Sequence, residues 1–114
     1  MKLSKELVKG STVLLVLNLL KNKPMYGYEM IKNMELISSG TFEWKEGTLY
    51  PILHGLEVDG MLDSFWETPE NGRKRKYYQI TKKGLKLLDQ KQSEWKQFTT
   101  AMDVALGGMK WIKA

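Results

Sequence analysis

The chain has no cysteine, one histidine and three prolines among its 114 residues. Without thiols it can form neither a disulfide framework nor a thiolate metal site, and a reducing compartment is compatible with it. A lone His54 rules out the histidine clusters of zinc centres, so no metal site and no cofactor are expected. The glycines form no phosphate loop of the Gly-x-x-x-x-Gly-Lys-Ser/Thr type, and no serine stands in a hydrolase signature. No catalytic residue is named, and the chain is expected not to be an enzyme. Long apolar runs are lacking too. Val13–Leu20 is broken by Asn18 and falls far short of the roughly 20 residues that cross a bilayer, and the N-terminus has no convincing signal peptide. No membrane partner is expected, and the sequence reads as cytoplasmic.

What is present has the balance of a globular protein, with 42% hydrophobic and 27% charged residues. The formal charge of +5 suits an anionic partner. The length fits one domain, small enough for a partner subunit to help cover its core.

The stretch Phe42–Ile80 organises the rest. Leu49, Ile52, Leu53 and Leu56 recur at helical spacing, which predicts a helix from about Gly47 to Val58 and leaves Tyr50, Pro51 and His54 on the opposite face. Pro51 is tolerable if it falls in the first turn, where its missing N–H has no partner to lose. Beyond Gly60 the pattern turns extended. A strand is predicted from Met61 to Glu67, then a turn carrying Pro69 and Asn71-Gly72, then a strand from Arg73 to Ile80. Helix followed by hairpin is the second half of a winged helix-turn-helix. Arg73, Lys74, Arg75 and Lys76 stand in a row at the hairpin tip. Four like charges repel unless a polyanion neutralises them, so a tip resting on a phosphate backbone is preferred to an ordinary basic loop.

Before this stretch, residues 4–21 predict a first helix whose second half is apolar almost all round and therefore buried on several sides. A second helix is predicted from about Met25 to Ile37, with Met30, Ile31 and Met34 facing the core. Gly27, between Tyr26 and Tyr28, serves either a close helix crossing or a nearby phosphate backbone; packing is the preferred account. Ser38-Ser39-Gly40 marks a turn, and Phe42 and Trp44 belong in or beside the core. After the hairpin, Thr81 caps a last helix running to about Leu106, ended by Gly107-Gly108. Leu88, Trp95, Met102 and Met109 repeat every seven residues, with Leu85, Phe98 and Leu106 beside them. Gln92 and Thr99 interrupt the second register of this partial seam. Met109, Trp111 and Ile112 form a tail that either folds back or is disordered.

Several segments together resemble the PadR-like transcriptional regulators, closest in length and plan to a small subfamily of multidrug regulators. They are Met25-Tyr26-Gly27-Tyr28-Glu29, the run from Glu46 to Leu53 leading to Leu56-Glu57 and Gly60, and Gly72 to Thr81 followed by Gly84. The resemblance implies a mainly α fold with a small β-hairpin: a winged helix-turn-helix in 1–81 and a long C-terminal dimerisation helix with its tail in 82–114. It implies a homodimer on double-stranded operator DNA, repressing a detoxification or efflux gene. Tyr26, Gly27, Lys45, Thr48, Tyr50, Pro51, His54 and the four wing cations are then the DNA-binding set. Leu85, Leu88, Trp95, Phe98, Met102 and Leu106 are the dimer-interface set. A planar aromatic effector would be held by Trp95 with Leu7, Leu14 and Asn18, although Trp95 equally serves plain dimer packing. The rival is a basic winged helix that docks on protein or RNA and senses no effector.

Overall fold

The computed structural model describes residues 3–108, so the tail at Met109, Trp111 and Ile112 lies outside them. Helix α1 spans Lys5–Leu20 and is capped by the Ser4 hydroxyl, which accepts from the Leu7 N–H. Val16, Leu17, Leu19 and Leu20 are all buried, as the apolar second half requires. Ser11 and Thr12, also buried, satisfy their hydroxyls by donating to the Val8 carbonyl at 3.0 and 2.7 Å.

The second helix starts later than the sequence implies. Met25–Tyr26 form a short strand, β1, and α2 runs Gly27–Ile37. The helical pattern yields here to tertiary pairing, because Met25 and Tyr26 align with Tyr78 and Tyr77 and give the hairpin a third strand. Glu29 then serves the new helix start: its carboxylate accepts from the Tyr26 N–H and pairs with Lys23 at 3.2 Å.

Helix α3 spans Glu46–Val58, which puts Pro51 in the second turn rather than the first. Its missing N–H leaves the Gly47 carbonyl without a helical donor, but both residues lie on the exposed side, where water can serve instead. Strands β2 (Leu62–Glu67) and β3 (Arg75–Ile80) are antiparallel, from Leu62 opposite Ile80 to Glu67 opposite Arg75, and the sheet order is β1-β3-β2. Arg73 and Lys74 therefore belong to the wing turn, not to the strand.

Helix α4 spans Lys82–Ala105. Thr81 fastens its start: the hydroxyl donates to the Gly60 carbonyl at 2.7 Å and accepts from the Gly84 N–H at 3.0 Å. The core is one cluster in which α1, α2, α3 and the sheet meet, with Leu17, Leu20, Met30, Leu49, Leu53 and Leu62 fully buried. Leu88 of α4 belongs to it as well.

Candidate nucleic-acid interface

The alternation of packing and exposed positions along α3 produces the outward face. Leu49, Leu53 and Leu56 are buried, while Thr48, Tyr50, Pro51 and His54 are exposed and share the free side. Lys45, at the N-cap, is exposed beside the unpaired N–H groups of the first turn. Gly27 does not join them on the surface. It is buried under the Tyr50 ring, so of the two accounts of this glycine the packing one holds, and its place in the DNA-binding set is corrected to a support for Tyr50. Burial, then Glu46 and Tyr78, push the Tyr50 phenol up, so it stays an O–H donor at neutral pH.

The wing cations are not four bare charges. Lys74 lies 5.5 Å from the Trp66 ring centre, and the Arg75 guanidinium lies 4.4 Å from that of Tyr26. Tyr26 meets Tyr77 edge-on at 5.4 Å, and Phe65 stacks on Tyr77 at 5.5 Å, so Arg75 rests on an aromatic row across the three strands. Lys76 faces the other way. Its ammonium pairs with Glu57 of α3 at 3.0 Å and lies 5.2 Å from the Tyr78 ring centre. Repulsion at the tip is thus relieved in part by the protein itself, with Lys76 engaged by an intramolecular partner. Arg73, Lys74 and Arg75 remain for an outside anion. Of these residues only Tyr26 and the wing cations were in the sequence-derived site; Glu57, Phe65, Trp66, Tyr77 and Tyr78 were not. The Glu57–Lys76 pair spans 19 residues and has no local signature.

Helix α4 divides into two parts. Gly84 and Leu88 are buried, so Leu88 belongs to the protomer's own core and is withdrawn from the interface set. Leu85 is half exposed at the junction. Farther along, Trp95 (44%), Phe98 (52%), Met102 (42%) and Leu106 (76%) are exposed among the described residues. Leu7 and Asn18 of α1 are exposed, whereas Leu14 is partly packed on the core. A hollow on α4 lined by Ser93, Lys96, Gln97, Thr100 and Ala101 does not include Trp95. Among the described residues no group of three His, Cys, Asp or Glu could hold a metal, and no helix is long and apolar enough to cross a membrane.

Residues 16–90 match the model of the transcriptional regulator PadR-like family. The structure is similar to that of a transcriptional regulator from Clostridium thermocellum, with a TM-score of 0.80 and 31% identity over 87% of this chain and 96% of that one. It is also similar to a PadR family transcriptional regulator from Eggerthella lenta, with a TM-score of 0.73 and 34% identity over 89% of this chain and 82% of that one. An uncharacterised Lysinibacillus sphaericus protein is 29% identical over 92% of this chain and 96% of its own length. These likenesses support the family without singling out a multidrug-regulator subfamily.

Proposed function

The chain belongs to the PadR-like family of transcriptional regulators and is a DNA-binding regulator, and from that premise we propose that it acts as a homodimeric repressor. The observation that carries the dimer is the apolar stripe Trp95, Phe98 and Met102 on α4 with Leu106 at its C-cap, exposed among the described residues. A contiguous apolar surface of this kind is characteristic of a protein interface. With residues 1–81 as the DNA-binding unit and 82–114 as the dimerisation segment, two copies joined through α4 carry two winged helices. A two-fold dimer matches the two half-sites of a near-palindromic operator.

In each subunit α3 enters the major groove with Thr48, Tyr50, Pro51 and His54 toward the bases. Lys45 and the helix N-terminus hold phosphate. Tyr26 supports Arg75, and the wing secures the flanking backbone through Arg73 and Lys74 of its turn and Arg75 of β3. The α3 face has no arginine or amide for bidentate base contacts, so selectivity depends partly on DNA shape and half-site spacing.

The finer proposal is that the regulated gene serves detoxification or efflux and that a planar aromatic effector enters the dimer interface between Trp95 and its symmetry mate. Leu7, Leu14 and Asn18 would form the first-helix walls. Such an effector must prefer the DNA-free arrangement, because equal affinity for both arrangements releases nothing.

Sedimentation with and without duplex tests the dimer. A monomer on DNA would leave the wing-bearing protein without the proposed symmetry. Titration of planar cationic dyes and phenolic acids, compared with a folded, dimeric Trp95→Ala variant, tests the effector. Binding unchanged by that substitution would remove Trp95 from the site.

A further inference from the structure

Glu57 is the last but one residue of α3, and its carboxylate faces the wing rather than solvent alone. One oxygen accepts from Lys76 Nζ at 3.0 Å, and the other accepts from the Ser64 hydroxyl. Ser64 lies on β2 and Lys76 on β3, both on the sheet face that carries buried Leu62 and Tyr78. A single carboxylate thus ties both strands of the hairpin to the helix that faces the bases. Charge-assisted hydrogen bonds of this kind are shorter and stronger than neutral ones, and contacts to two different strands restrain how the hairpin sits against α3.

The same contact decides how the wing charge is used. Arg73 and Lys74 lie in the exposed turn, and Arg75 rests on the Tyr26 ring, which leaves its outer side open. Lys76 has a full counter-charge within the protein and a ring beside it. Held in this way, its charge is already balanced within the protein, and it attracts a phosphate less than a free lysine does.

We propose that Glu57 is a specificity-determining positioning residue: it sets the angle between α3 and the wing, and it withholds Lys76 from sequence-independent attraction to the phosphate backbone. The proposal rests on the DNA-binding reading above. A wing free to swing, with one more free cation, would follow any duplex. A wing tied at Glu57 reaches flanking phosphates only when α3 is seated in its groove, so phosphate contact is conditional on fit.

The test compares full-length wild type, Glu57→Gln, Ser64→Ala and Lys76→Gln on two probes: the tightest duplex that wild type selects from a randomised library, and a random-sequence duplex. Glu57→Gln keeps the side-chain shape and an oxygen that can accept a hydrogen bond, but it removes the counter-charge of Lys76. Its random-duplex binding should tighten, its plot of log affinity against log salt should steepen by about 0.9 for each phosphate gained, and its preference for the selected duplex should fall. Ser64→Ala should lower that preference with no steeper slope, because Lys76 stays paired. Lys76→Gln should keep the wild-type slope. A Lys76→Gln slope shallower by about 0.9 per site would place Lys76 on phosphate in the wild type and overturn the proposal. An unchanged preference in Glu57→Gln would overturn it as well. Wild type that binds neither duplex would instead sink the DNA-binding reading, and the proposal with it. Circular dichroism checks folding, and Lys76→Gln, altering one partly exposed side chain, keeps the test decisive if Glu57→Gln is unstable.

Discussion

The Tyr50 ring of α3 occupies the space that a side chain at Gly27 of α2 would need, since a Cβ there would lie 2.6 Å from the ring Cε1. The obstacle is the far end of a side chain that is itself partly exposed, so the ring can swing aside. Alanine in a helix interior is worth about 0.8–1.0 kcal/mol over glycine, and less at the first helical residue that Gly27 occupies, so it offsets a small part of the displacement. Gly27→Ala should therefore change stability by no more than about 1 kcal/mol. It should nevertheless weaken binding to the selected duplex by about 1 kcal/mol, because Tyr50 no longer sits on the α3 face. Thermal unfolding and fluorescence anisotropy check the two halves, and full DNA affinity in the variant would remove Tyr50 from the interface.

Gly84 gives the opposite balance. A Cβ there would run into the Met61 carbonyl, and the obstacle is backbone held by the Thr81 hydroxyl at 3.0 Å, so nothing can swing away. Gly84→Ala should destabilise by about 1–3 kcal/mol, the usual cost of overpacking, despite its better helix propensity. Urea unfolding measures it, and a neutral result would mean that α4 shifts freely against the wing.

These two glycines show what could be read from the chain and what could not. The periodicity of Leu49, Leu53 and Leu56 was sufficient to place α3 and its free face, and Asn71-Gly72 was sufficient to place the wing turn. Local signals of that kind act within a few residues. Strand β1 depends on Tyr77 and Tyr78, some fifty positions later, so its helix-like neighbours misled. Leu88 fits a seven-residue repeat and also fits the protomer core, and periodicity cannot say which side covers a leucine. Lys76 read as a free cation for the same reason, because Glu57 comes near only when the hairpin folds against α3.

The Glu57–Lys76–Ser64 tie has a defined pH signature. The Ser64 hydrogen bond first, then the Lys76 ammonium, hold the Glu57 carboxyl below the usual carboxylate range. A folded-state pKa below the unfolded one means the contribution is fully present above the unfolded pKa and is lost as pH falls through the folded one. The hydrogen bond to Glu57 raises Lys76, so that contribution is present below the ordinary lysine range and lost only as pH rises through the raised value. The stability gap between wild type and Glu57→Gln should be flat through neutral pH and close in acid. Urea midpoints against pH check this, and a gap that persists below the carboxylate range would show that charge is not its cause.

The wing turn should dominate salt sensitivity. Arg73 is exposed and Arg75 keeps an open side above Tyr26, so replacing both by alanine should weaken selected and random duplexes alike. With six to ten phosphates contacted by a dimer, wild-type affinity should fall about 10^3 to 10^5 between 50 and 200 mM salt, and the double variant should fall less. Anisotropy titrations at several salt concentrations decide it, and an unaltered double variant would take the wing off the DNA.

The outer half of α4 is the sharpest test of assembly. The Trp95 and Phe98 ring centres lie 5.7 Å apart on a helix face left exposed by the described residues, and Met102 and Leu106 extend it by about two turns. None of the four belongs to the buried core, whereas Gly84 and Leu88 do, so the outer turns can be altered without opening the winged helix. Truncation after Thr81 would remove Leu88 and should leave a poorly folded remnant, which makes it a weak probe of association. Phe98→Glu with Met102→Glu is the better one: each subunit should stay folded, while two facing stripes would have to bury four carboxylates, a cost of several kcal/mol per unpaired charge. Sedimentation should show the wild type as a dimer and the double variant as a monomer. Operator affinity should then fall by about 10^2 to 10^4, the avidity lost when two linked sites become one. A double variant that remains dimeric, with unchanged operator binding, would move the interface off α4 and leave the exposed Trp95 without the partner that the effector proposal requires.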